Sequence, residues 1–207
     1  MTGCLFLRFS VVQREKREEI MMMATITTHQ IIVNECLAEG IDYDEMDEVI
    51  RYLLEMFNDG KEYADAQGLA WVSNESKKIP YRTKFLDIVA HPWKYTMEQK
   101  RAFAWKVACE TWFEGKSALV LDQMKAFAAD VVVLAKIVDE MYLRGKNRLV
   151  SNDTMIMETG IPNTRFFKVK KDAIVLFGLL IWKYCKRRDM EDKINGIIDE
   201  NGNKIED

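Results

Sequence analysis

Cysteine, histidine and proline are scarce in this chain, with four, two and three respectively among 207 residues. Cys4, Cys36, Cys109 and Cys185 are scattered and form no Cys-x-x-Cys pair. The expectation is therefore idle thiols in a reducing compartment rather than a disulfide framework or a zinc site. The longest apolar run, Ala173 to Trp182, is half the roughly 20 residues that cross a bilayer, so no membrane span is expected. Low glycine and proline, set against 48% hydrophobic residues, exclude collagen, low complexity and wholesale disorder. Five Trp, seven Tyr and ten Phe add material for a core.

Met1 to Val12 is apolar but interrupted by Arg8, and no small-residue cleavage site follows, so it does not read as a signal peptide. Arg17-Glu18-Glu19-Ile20-Met21-Met22-Met23 is what translation of a purine-rich stretch followed by start codons would give. Residues 1–23 are expected to be a mistranslated leader or a disordered arm. Translation would then begin at Met21, Met22 or Met23, the gene would be bacterial or phage, and the product would sit in the (host) cytoplasm.

Catalytic and ligand motifs fail one by one. Gly115-Lys116-Ser117 lacks the earlier glycine of a phosphate loop, because Glu110 stands there. Asp42, Asp44, Glu45, Asp47 and Glu48 lack the central glycine of a calcium loop. His29 and His91 have no acid or nucleophile in helical register, and His91 reads as a locally bonded loop residue. Neither an enzyme nor a cofactor or metal is expected.

The pattern is mainly helical. Thr28 to Cys36 suggests a helix closed by Gly40, and Asp42 opens another with Met46, Val49, Ile50, Leu53, Leu54 and Phe57 at helical spacing, closed by Asn58-Asp59-Gly60. Residues 73–78 read as a polar loop and Tyr81 to Ala90 as a short helix stopped by His91-Pro92. Thr96-Met97-Glu98-Gln99 is a capping box for a helix ending near Gly115. A further helix is expected over 117–143, with a break near Phe127. A soft boundary near residue 120 separates a helical region, 24–120, suited to dimerisation or partner contact, from a second region, 121–207.

In that second region Ser151 or Asn152 caps a short helix ended by Gly160. Pro162 and Asn163 turn the chain, and a second helix starts near Thr164. Phe166, Val169, Ala173, Leu176 and Phe177 fall on its inner side, with Thr164, Arg165, Lys168, Lys171 and Val175 opposite. Met155, Thr159, Gly160, Ile161, Phe166, Val169 and Gly178-Leu179-Leu180 resemble the winged helix-turn-helix domains of bacterial and phage DNA-binding proteins. The resemblance implies a first helix over 127–143, a strand at Ile181 to Arg187, and a small β-hairpin over 194–205 with turns at Asn195-Gly196 and Asn201-Gly202. Ile156, Lys170 and the spacing to Gly178 depart from the family pattern.

Charge is uneven. Arg144 to Arg188 holds eleven basic against three acidic residues, a local +8, whereas the last nineteen residues carry −5. The expected function is duplex DNA binding by a transcription regulator or replication-associated factor. The helix 164–177 would read the major groove through Asn163, Thr164, Arg165, Lys168 and Lys171, while Arg144, Lys146, Arg148, Lys183, Lys186, Arg187 and Arg188 grip the backbone. Such modules commonly act as a homodimer. The alternative is a phage-type adaptor or inhibitor of a host protein that uses the same domain as a protein scaffold.

Overall fold

The computed structural model describes residues 28–67, 75–127 and 131–199, together with 202 and 205; the expected leader, residues 1–23, lies outside them. The architecture is mainly α. In chain order it comprises α1 (28–38), α2 (Tyr43–Ala66), α3 (Glu75–Ala90), α4 (Met97–Ala108), α5 (Thr111–Phe127), α6 (Val132–Val138), α7 (Asn152–Thr159) and α8 (Asn163–Ile194).

The starts of these helices follow local chemistry. Asp42 caps α2 by accepting from the Asp44 and Glu45 amides, and Thr96 with Gln99 forms the expected capping box on α4. Pro92 opens a single 3₁₀ turn after α3, as His91-Pro92 suggested. Beyond α6 the chain makes one π-helical turn, Asp139–Leu143, where this helical stretch ends. The buried Asn58 side-chain amide donates to Tyr142 O (2.7 Å), and Val150 N donates to Glu140 O (2.9 Å). Those bonds satisfy carbonyls left without intrahelical partners where the helix ends.

Gly40 and Gly160 end α1 and α7 as expected, but Gly60 and Gly115 do not end the helices they were expected to close. Helix α2 runs through Gly60 to Ala66, and a Cβ at Gly60 would lie 2.7 Å from Ala108. That glycine allows α2 and α4 to touch, and these two helices pack on each other most extensively. Gly115 lies inside α5, residues 75–78 belong to α3 rather than to a loop, and the boundary expected near 120 falls within α5.

The largest difference is α8, which continues through Gly178 for 32 residues. Ile181 to Arg187 is therefore helix, not strand. Ile181, Trp182 and Cys185 are buried at helical spacing, and that burial outweighs the β-propensity of Ile, Trp and Tyr. The small β-hairpin wing is not seen either. Gly196 (φ 68°) and Gly202 (φ 82°, its N–H donating to Asp199 O at 3.0 Å) both turn the chain, but among the described residues no strand follows, only an isolated bridge at Ile198 and an Ile205 N to Ile197 O bond (3.0 Å).

Residues 172–179 of α8 are buried without interruption, so the helix is enclosed on all sides there. It packs against α2, α3, α5 and α6. A Cβ at Gly178 would lie 2.4 Å from Ile50 and 2.7 Å from Met46, so only glycine permits the crossing with α2. Phe57, Phe113 and Phe177 make successive edge-to-face contacts, 5.5 and 6.3 Å between centroids, tying α2, α5 and α8 into one core.

Candidate nucleic-acid interface

Helix α7 begins at Ser151, whose hydroxyl accepts from Thr154 N (3.2 Å), and ends at Gly160 with φ 67°. That left-handed conformation suits glycine and turns the chain toward α8. Met155, Ile161, Phe166 and Val169 are all buried, so the inner stripe of the turn is as expected. Lys170 is half-buried beside it and reaches outward to Asn152 Oδ1 (3.0 Å), over the Tyr142 ring. Burial holds its ammonium below the ordinary lysine pKa.

The first two turns of α8 are amphipathic. Asn163, Thr164, Phe167 and Lys168 are exposed, Phe167 to 58%, and Arg165 and Lys171 are half-exposed. The outer stripe ends there: Val175, placed outward by the helical wheel, is fully buried because α8 has neighbours on every side by that turn.

Most of the remaining cations meet acids from elsewhere in the chain. Lys171 pairs with Asp44 (2.5 Å) and Lys146 with Asp59 (2.8 Å). Lys183 pairs with Glu35, and Lys186 with Glu39 (2.7 Å). Arg144 bonds Glu140 (2.9 Å) and Asp139 (3.2 Å). Arg187 lies 3.9 Å from Glu191, and Arg188 contacts both Glu191 and Asp192. The local +8 of the sequence is thus largely matched by acids of α1, α2, the π turn and the end of α8. Lys183, Lys186, Arg187 and Arg188 belong to the second half of α8 instead of a wing. Among the described residues Arg148, Arg165 and Lys168 have no acidic partner.

One polar cluster escaped the sequence altogether. Asp172, only 1% exposed, lies within 2.7 Å of His29 Nδ1 and accepts from Tyr43 Oη (2.5 Å) through the same oxygen, Oδ1. Its Oδ2 is buried without a partner. Burial and the Asp172 carboxylate push the Tyr43 phenol above its ordinary pKa, so it stays a donor. The cluster fastens α1 and α2 to α8 across 143 residues of sequence for His29. Register within a single helix cannot reveal such a pair. His91, by contrast, bonds locally as expected, but to an acid in helical register that the sequence reading missed, Asp87 Oδ1 (2.9 Å) four residues earlier. No group of three His, Cys, Asp or Glu side chains among the described residues is placed to hold a metal, and no described helix is long and apolar enough to cross a membrane.

No protein family, curated protein or solved structure matches the chain.

Proposed function

We propose that the chain binds duplex DNA through the exposed first two turns of α8. The observation that carries this is the outward face of Thr164, Phe167 and Lys168, next to Arg165, presented by a helix whose inner side is fixed in the core. Helices that enter the major groove touch bases chiefly with their N-terminal residues, so burial from residue 172 onward is compatible with docking. In this arrangement Arg165 and Lys168 address a guanine edge or phosphates, Asn163 and Thr164 donate to phosphate, and Phe167 offers apolar contact to a thymine methyl group. Arg148, in the 3₁₀ turn Lys146–Arg148 before α7, adds one backbone contact. The seven paired cations contribute little, because their acids share the same surface.

The test is anisotropy titration of a labelled duplex at low salt with two double variants. Arg165→Ala with Lys168→Ala should weaken binding about tenfold or more, the loss expected for contacts of about 1–3 kcal/mol. Lys183→Ala with Lys186→Ala should leave it nearly unchanged. The opposite ranking would refute the assignment.

A protein partner is the second reading. It is favoured by the exposed Trp93, Met97 and Trp105 on and beside α4, with Trp105 against the exposed Tyr63. A host protein that stays bound after nuclease treatment, together with absent duplex binding, would replace the DNA proposal with this one.

A further inference from the structure

A cleft of about 480 Å³ lies between α3 and α4, remote in sequence from the α7–α8 turn. Its size is within the range of small-molecule sites. The walls come from Pro80, Tyr81, Ala102 and Phe103, with Phe103 buried at 8% exposure. Among the described residues, the charged side chains that line it are Lys84 and Lys106, and no acid does. On α4 the lining positions Gln99, Ala102, Phe103 and Lys106 follow helical spacing, so they form one stripe about 10 Å long at 1.5 Å per residue.

Lys84 donates to Tyr95 Oη (2.9 Å), just before α4 begins, whereas Lys106 stands in the last turn of α4. The two lysines therefore sit toward opposite ends of an apolar trough. Lys84 lies 4.0 Å from the Tyr95 ring centroid, and that phenol in turn donates to Asp87, which is bonded to His91. Lys106 has no acidic partner among the described residues. Apolar and aromatic walls with cations at the ends select a flat hydrophobic ring that carries negative charge at its edge.

We propose that this cleft is a binding site for an aromatic anion, a planar ring system bearing a carboxylate, sulfonate or phosphate. The proposal does not depend on DNA binding. The probe is 8-anilinonaphthalene-1-sulfonate, titrated against the full chain by fluorescence, with N-phenyl-1-naphthylamine as its uncharged counterpart. Expected are one saturable site, at least tenfold weaker binding of the uncharged dye, and at least tenfold weaker sulfonate binding in Lys84→Ala/Lys106→Ala. Because Ala102 is exposed, Ala102→Trp fills the trough from its solvent side and should abolish the site while leaving the melting temperature and circular dichroism unchanged. Undiminished dye binding by folded Ala102→Trp would overturn the site. Equal affinity for the charged and neutral dyes would overturn the requirement for an anion.

Discussion

A single hydrogen at position 178 sets how closely α8 can approach α2. With Ile50 and Met46 already inside 3 Å of where a Cβ would stand, Gly178→Ala forces two core side chains aside. We expect it to lower stability by about 1–3 kcal/mol, measured by urea denaturation, although alanine is the better helix former. At Gly160 the positive φ is decisive, and Gly160→Ala should cost about 1–2 kcal/mol for the left-handed backbone. The thiols provide another test. Burial pushes Cys36 up to about 11 and Cys185 up to about 12, so both should resist a disulfide reagent at pH 8 until the chain unfolds. Rapid native-state labelling of either would contradict their placement.

At the scale of the element, what the sequence disclosed and what it hid have a common physical origin. Short-range signals were legible. The Thr96–Gln99 box, the Asp42 cap, the Ser151 cap and the Gly160 turn all depend on atoms a few residues apart. Glycine was ambiguous because it serves two purposes. At Gly160 it supplies a backbone angle, whereas at Gly60 and Gly178 it makes room for another helix, and only the three-dimensional partner distinguishes them. The same ambiguity turned the second half of α8 into an expected strand and wing. The inner stripe of its first half was legible, but the enclosure from Asp172 onward was not, because it depends on α2, α3 and α5. Asp172→Asn should weaken the attachment of α1 and α2 to α8. We expect a loss of about 1–3 kcal/mol and faster amide exchange in α1 than in α5, read by hydrogen exchange.

For the whole molecule, charge is organised by tertiary pairing, and that changes what net charge along the sequence means. The basic stretch 144–188 looked like a polyanion footprint, yet Glu35, Glu39, Asp44 and Asp59 meet its lysines in space. These pairs are mostly exposed, so each stabilises only slightly, but together they flatten the surface potential. Some carry a pH signature. Bonding to Lys186 holds the Glu39 carboxyl below its ordinary 4.5, and bonding to Tyr95 holds Asp87 below 3.8. A carboxyl depressed in the folded state contributes stability above its unfolded pKa and loses it as pH falls through the folded one. Stability should therefore be level from pH 7 to 5 and decline below about 4.5, less steeply in Glu39→Gln, as read by urea midpoints across pH.

Pairing on this scale also limits what DNA can gain from the molecule. Three cations of the proposed interface, Arg148, Arg165 and Lys168, have no acidic partner among the described residues, and at about 0.9 counterion each they give a modest electrostatic dependence. The most direct measurement is duplex affinity as a function of salt. The account predicts that log K falls with log salt at a slope near −3 and near −1 once Arg165 and Lys168 are both alanine. A slope near −3 that survives that double substitution, or no detectable binding at the lowest salt, would contradict it.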